Sequence, residues 1–519
     1  MCDSTRIVAG RTPQSFSYIL DAGGTFEAPE AVMTYSDKGF NAMSRNMHDF
    51  VRKHIVRGQW QYKERPVLLN SWEAAYFDIS ERKLYELAKA GHDVGIELFV
   101  MDDGWFGNRD DDSSSLGDWY VNKKKLPNGL KGICDKINAL GMSFGIWVEP
   151  EMLNVNSDLY RLHPDWAMDI PGCAHSEGRN QRILDLCNPE VSEYIIDSMT
   201  KVFSSANIAY VKWDMNRIFS DYYSKYLKVH GRPQGETAHR YVMALGRIMR
   251  TLTERFPHIL FEGCAAGGNR FDLGILCYFP QIWASDNTDA VSRAYIQEGL
   301  SYGYPMSTVS AHVSACPNHQ TLRVTPLSTR FNVAAFGICG YECNLVDMSK
   351  AERSEIKTQI DIYKKWRHAM QFGSFYRQRT GNIHQWTVVD EEAGRAVGLI
   401  MQELVRANTQ NEEYYAAGLD PEAVYSFYNR PLKHNVKEFG DLINTVAPIH
   451  IRQGSLLHGM VAKFVTMPGE TEKYELSGSM LMNCGVRLKQ AFAATGFSEE
   501  VRHFPDFASR LYFMEKISD

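Results

Sequence analysis

The run Lys212-Trp213-Asp214-Met215-Asn216-Arg217 sets a carboxylate among basic neighbours. Those neighbours would hold it ionised, the state that a nucleophile or an electrostatic stabiliser needs. A second run, Trp283-Ala284-Ser285-Asp286-Asn287-Thr288-Asp289, supplies another carboxylate. Breaking an acetal takes two such groups facing one bond, one to attack the anomeric carbon and one to protonate the departing oxygen. Taken singly, each piece has a plainer reading. A lone aspartate at a strand end caps a turn or a helix, and Asp102-Asp103-Gly104-Trp105 reads as a β-turn. Trp72 and Trp147 read as core aromatics, Lys212 as a surface charge, and Glu149, Glu151 and Glu262 as structural carboxylates. The glycine-bearing segment from Glu262 to Asp272 lacks the strand-turn-helix setting of a dinucleotide site and reads as a tight rim loop. Only their joint placement argues for chemistry.

That placement depends on the elements around them. Short apolar runs alternate with amphipathic segments from Val67 to Asp347, the pattern of repeated βα units. The expected strands are Val67 to Trp72, Glu97 to Asp102, Ser143 to Val148, Ala209 to Asp214, Ile259 to Cys264, Gln281 to Asp286, Met306 to His312 and Cys339 to Val346. Helical stretches lie between them, including Ile79 to Val94, Glu190 to Ser205, Thr237 to Arg255 and Ala351 to Met370. Eight such units in about 280 residues predict an α/β fold, a (β/α)8 TIM barrel over residues 63–374. An open doubly wound sheet stays as the alternative, since periodicity does not show closure. The barrel is favoured because Asp102, Asp103, Glu149, Asp214, Glu262, Asp286 and Asp347 all fall at or just past the C-terminal end of an expected strand, the active-site face of a TIM barrel. Short strands separated by polar turns after Gln371 predict a C-terminal antiparallel β-sandwich, residues 375–519. Residues 1–62, with a strand-like Ser17 to Asp21 and then helical character, form a short remnant and linker. The acidic, serine-rich run from Asp110 to Ser115 reads as a solvated loop.

Composition limits the partners. A net charge of −6 with no polybasic block argues against nucleic acid and anionic membrane. No run approaches a membrane span, and the N-terminal residues lack the apolar core of a signal peptide, so a cytoplasmic protein is expected. Ten scattered cysteines without a Cys-x-x-Cys pair predict reduced thiols, and sixteen histidines without ligand spacing predict no structural zinc. The 12% share of aromatics leans toward sugar binding, where flat apolar faces stack on pyranose rings.

With these residues in hand, the chain resembles the α-galactosidases (melibiases) of glycoside hydrolase family thirty-six. The motifs are Asn70-Ser71-Trp72-Glu73-Ala74, Asp102-Asp103-Gly104-Trp105-Phe106-Gly107, Gly178-Arg179-Asn180-Gln181, Lys212 to Arg217, Arg270-Phe271-Asp272 and Ser285 to Asp289. They continue through His312-Val313-Ser314, Pro317 to Thr321 and Ser509 to Tyr512, covering essentially the whole chain. The resemblance implies a retaining hydrolase that releases terminal α-galactose from melibiose- or raffinose-type oligosaccharides, with Asp214 as nucleophile and Asp286 as acid/base. It implies that Asp102 and Asp103 bind the galactose O4 and O6, that Lys212 and Arg179 hold O3 and O4, and that Trp72 and Trp147 line the pocket. It implies no metal or organic cofactor. The expected partners are α-galactoside oligosaccharides and, as an open alternative, further copies of the chain in a homo-oligomer.

Two departures bear on those expectations. Relatives carry a Cys-Ser-x-Gly-Gly type run near the sugar's O2, whereas this chain reads Cys264-Ala265-Ala266-Gly267-Gly268-Asn269, which places Cys264 and Ala266 at that contact. An α-N-acetylgalactosaminidase therefore stands as an alternative, as does an α-galactosyl transferase of the same family, and a sugar-binding pseudoenzyme as a third. The larger bacterial relatives also carry an N-terminal β-supersandwich, of which only a final segment around Thr25 to Ala31 is expected here, opening the aglycone side.

Overall fold

Leu98–Met101 is buried at every residue, and so are most residues of the other apolar runs in the first part of the chain. Runs buried on both faces are what a parallel sheet covered by helices requires. The computed structural model, which describes residues 6–406, 412–445, 447–492 and 500–518, forms such a sheet and closes it. Its strands are β1 (Leu68–Asn70), β2 (Leu98–Met101), β3 (Ser143–Val148), β4 (Ile208–Trp213), β5 (Leu260–Gly263), β6 (Gln281–Trp283), β7 (Val309–Ser314) and β8 (Ile338–Glu342). They neighbour one another in chain order, and parallel pairing of Leu68 with Gly340 ties β1 back to β8. All eight lie where the sequence pattern puts them, shifted by a few residues at their ends. The interior is filled by Leu68, Leu98, Val100, Tyr210 and Leu260. Gly145 faces Tyr210 there, and a Cβ on it would lie 2.8 Å from the tyrosine ring, so the large residue on β4 needs the absent one on β3.

The helices follow from local signals as well as from packing. Glu81–Val94 starts at Ser80, whose hydroxyl accepts the Lys83 N–H, and stops at Gly95, whose φ of 100° lets its N–H reach back to Gly91 and His92. Pro189–Ser204 opens with Asn188 as cap and proline in its first turn, and Thr237–Arg255 keeps the bounds its periodicity predicts.

The chain divides into two compact units, Met1–Asp286 with Thr308–Ser310 and Gly340–Ile360, and Asn287–Ser307 with Ala311–Cys339 and Asp361–Asp519. The second contains a six-stranded antiparallel sheet built from β9 (Ser374–Thr380), β10 (Ile383–Asp390), β11 (Arg395–Gln402), β12 (Val424–Asn429), β13 (Lys473–Ser477) and β14 (Ser509–Ser518), in the order β9-β10-β11-β14-β12-β13. A two-stranded pair, Glu413–Tyr414 with Val486–Arg487, packs over it through Tyr414 and Val486 against Ala396, Ile400, Phe427 and Tyr512. Gly398 leaves room for the Tyr414 ring, whose hydroxyl pairs with Thr387 at 2.8 Å and donates to the Trp386 carbonyl at 3.0 Å.

Two expectations change. Ser17 to Asp21 forms no strand: the Ile19 N–H donates to the Glu236 carboxylate at 2.8 Å, and Arg232 holds the Ile19 carbonyl and the Asp21 carboxylate, so side chains take the backbone groups that a neighbouring strand would have paired. Asp110 to Ser115 is a loop with exposed acidic residues, but it is pinned. Arg109 donates to the Ser114 carbonyl at 3.0 Å, and Asn154 donates to the Asp112 carbonyl at 3.1 Å. Among the described residues no helix is long and apolar enough to cross a membrane, and the described cysteines are all free thiols.

Candidate active site

Asp214 follows β4 directly and is buried, and four N–H groups reach its two oxygens. The Trp147 indole at the end of β3 donates at 3.2 Å and the Asn216 amide at 2.7 Å to Oδ2, while the backbone N–H groups of Met215 and Ala266 donate at 2.8 and 3.4 Å to Oδ1. Such a donor set stabilises an anion and fixes its orientation. Trp147 is held in turn by stacking on Phe106, 6.3 Å between ring centroids.

Asp286 lies three residues past β6 and receives a single described donor, the Trp283 indole at 3.0 Å. Burial pushes its carboxyl above the usual carboxylate range; the charge of Asp214 adds to this, and Lys212 partly opposes it. The two aspartates thus share one electrostatic neighbourhood but have unequal hydrogen-bond support.

The third element is an ion pair. Lys212, on β4, donates to Asp102 Oδ2 at 3.1 Å, and both are buried. Asn70 at the end of β1 donates to the same oxygen at 2.7 Å, and its own amide oxygen accepts the Trp72 N–H at 2.7 Å, which links Trp72 to the pair. Burial pushes Asp102 up, Lys212 pulls it back, and Glu342 at the end of β8 raises it further. For Lys212, burial works against the charge, but Asp102, Cys264, Glu342 and Asp214 outweigh it and hold the ammonium charged.

Asp103 is gripped by buried Arg109, with Nε 3.0 Å from Oδ1 and Nη2 2.8 Å from Oδ2. Cys264 is buried, and its thiol is pushed well up by burial and by Asp214. Ala266 has a φ of 46°, which turns its N–H toward Asp214. Gly267, at φ 84°, is where the loop meets the other carboxylate: a Cβ there would lie 2.8 Å from the Asp286 nitrogen and 2.9 Å from the Ser285 Cα. Arg179 is exposed and reaches Asn216 Oδ1 at 3.3 Å, so it joins the group at its open edge.

Around this cluster lie carboxylates that the sequence reads as structural. Glu151 accepts from Trp213, Tyr241 and Arg270 at 2.7–2.9 Å and has no exposure. Glu262 accepts from Gln281 and Ser310 in the barrel interior. Glu149 is closer to the chemistry. It accepts the Asn216 N–H and the Gln181 amide, and burial together with the Asp214 charge pushes it up to about 8. Sequence reasoning missed Glu342 and the bridging Asn70, and it placed Asp347 at the barrel rim. Asp347 is exposed and accepts a hydrogen bond from Asn344, because β8 ends at Glu342 and the apolar Cys343 and Leu345 that prolong the run are no longer strand.

A closed parallel barrel with paired carboxylates at its strand ends, in a chain that ends in an antiparallel sheet, is an architecture in which two carboxyl groups can serve one bond. Comparison with known proteins narrows this. A family model described as Melibiase matches residues 25–373, and one described as the glycosyl hydrolase family 36 C-terminal domain matches residues 383–514. The chain belongs to the melibiase family, glycosyl hydrolase family 36. It is 48% identical over 425 residues to alpha-galactosidase AgaA of Geobacillus stearothermophilus, covering 81% of this chain and 58% of that protein. It is 45% identical to alpha-galactosidase 1 of Pediococcus pentosaceus, covering 82% and 58%. The crystal structure of AgaA superposes with a TM-score of 0.84 at 41% identity over 98% of this chain and 63% of that one, and AgaA variants have been solved with raffinose and with stachyose. This chain therefore spans about three-fifths of the length of these relatives.

Proposed function

We propose that the chain is a retaining α-galactosidase acting on terminal α-linked galactose of raffinose-type oligosaccharides. The observation that carries this reading is the unequal pair: buried Asp214 with four N–H donors, and solvent-facing Asp286 with one described donor and a carboxyl pushed upward. Asp286, holding its proton, gives it to the glycosidic oxygen as the leaving group departs. Asp214 attacks the anomeric carbon and forms a covalent galactosyl ester. Water then loses a proton to Asp286 and displaces Asp214 from the sugar, which restores both groups and retains the anomeric configuration.

The Asp102–Lys212 pair is the recognition element for the galactose hydroxyls. A carboxylate acceptor beside an ammonium donor matches the O4 and O6 hydroxyls, and a sugar lacking the hydroxyl in that place would leave the buried pair unsatisfied. Asp103 contributes while anchored on Arg109, Trp72 and Trp147 wall the pocket, Arg179 closes its outer edge, and Cys264 and Ala266 face O2. The relatives' names and the sugar complexes of AgaA support the substrate class.

The test is release of nitrophenol from the α-galactoside and from the α-N-acetylgalactosaminide by the purified chain and its Asp214→Ala variant. Turnover of the galactoside that is abolished in the variant supports the reading. Preference for the acetamido sugar moves the substrate to the alternative that the Cys264 to Asn269 run raises. No turnover of either sugar by folded protein overturns it.

A further inference from the structure

The second unit brings together three side chains drawn from separate segments. His434 lies in the short strand Lys433–Asn435, Glu438 in the 3-10 helix Val436–Thr445 that follows it, and His503 in the segment leading to β14. One ligand atom from each lies within 4.8 Å of the others. We propose that His434, Glu438 and His503 form a binding site for a divalent transition metal of the zinc class.

The spacing fits. Ligand atoms around a tetrahedral zinc stand about 3.3 Å apart, given zinc–nitrogen and zinc–oxygen bonds of about 2.0–2.1 Å. Glu438 Oε2 is 3.1 Å from His434 Nδ1 and 3.7 Å from His503 Nε2, which brackets that value, so a small closure of the histidines completes three corners. The donor types fit too. Two imidazoles and one carboxylate suit zinc, cobalt or nickel better than magnesium or calcium, which take all-oxygen sets.

The His434 side chain is nine-tenths buried and turns its Nδ1 toward Glu438. The surroundings are pre-built: the Asn435 N–H holds the other Glu438 oxygen at 2.9 Å, Arg510 fixes the His503 carbonyl at 2.6 Å while its own charge is met by Glu470, and Phe439 lies 4.7 Å from the His503 ring. Such outer contacts orient metal ligands. Glu438 is 45% exposed, which leaves the fourth corner to water.

The test uses the full chain freed of metal by a chelator and titrated with Zn2+ and Co2+. One equivalent binds, Co2+ gives the visible bands of a four- or five-coordinate site, and Zn2+ raises the melting midpoint. His503→Gln and Glu438→Gln each weaken binding by about tenfold or more, whereas Asp214→Ala leaves it unchanged. No saturable binding by the parent at about 1 mM metal, a concentration far above that of a three-ligand site, overturns the proposal. Binding that both variants leave intact also overturns it, because the metal then sits elsewhere.

Discussion

Replacing Lys212 with Met keeps the length of the side chain and removes only its charge and its donors. The Lys212 ammonium is 3.1 Å from Asp102 Oδ2, which corresponds to about 5 kcal/mol of attraction at an effective dielectric of about 20. Losing one partner of a buried pair costs about 3–5 kcal/mol because the other is left charged and desolvated. Asp102 has one escape: it can take up a proton. Burial and Glu342 already raise it with Lys212 in place, and without Lys212 it rises further. A carboxyl raised on folding makes a contribution that is fully present below its unfolded value and is lost as pH rises through its folded one. The stability gap between parent and Lys212→Met should therefore be smallest at acidic pH, where protonation of Asp102 removes the charge that Lys212 faces, and should widen toward neutral pH. The double variant Asp102→Asn/Lys212→Met removes both charges, and its gap should be smaller than that of Lys212→Met at pH 7 and flat with pH. Urea unfolding of the full chain, followed by tryptophan fluorescence at several pH values, measures all three. A Lys212→Met gap of under about 1 kcal/mol at pH 7, as for an exposed pair, or one that shrinks as pH rises, would refute the reasoning.

Further expectations concern the paired carboxylates and their supports. With azide as acceptor, Asp286→Ala should give the α-galactosyl azide and Asp214→Ala the β-anomer, because only the first variant still passes through the enzyme ester; proton NMR of the products reads the configuration, and the same anomer from both would reverse the assignment. Since burial and Asp214 raise Asp286, the basic limb of kcat/KM should lie above the ordinary carboxylate range, and Lys212→Met, which removes a charge that lowers Asp286, should move that limb upward in any activity that remains. Glu149→Gln should keep activity at neutral pH, because Gln181 has a free amide oxygen to turn toward the new amide, and should lose an alkaline limb near the value of about 8 that Glu149 contributes; inactivity at pH 7 would count against it. Gly267→Ala should lower kcat/KM by more than tenfold and lower the melting midpoint as well, because a Cβ at φ 84° is strained and displaces the Asp286 backbone, and unaltered turnover would show that the loop yields freely.

How much of this was readable before the structure depends on whether the signal lies along the chain or across it. The barrel was legible because each strand is buried on both faces, so each appears as a continuous apolar run, and the turns after those runs carry the aspartates. Ser17 to Asp21 misled because alternation marks an extended segment, whereas a strand also needs a neighbour; its Ile19 N–H meets Glu236 instead of a ladder. The end of β8 misled for the opposite reason: Cys343 and Leu345 stay buried after the strand stops, so the apolar run outlasts the hydrogen bonding and hides Glu342 within it. The difference between Asp214 and Asp286 was only half written along the chain. Met215 and Asn216, next to Asp214, supply two of its donors, but β3 and the Cys264 to Asn269 loop aim the other two at it across the fold, while Trp283 is the one described donor to Asp286. The loop's part in this depends on a backbone that sequence motifs describe poorly. Ala266 at a positive φ turns its N–H onto Asp214, and Gly267 next to it lets the same loop press on the Asp286 backbone. One turn therefore touches both aspartates, the first through a hydrogen bond and the second through its backbone.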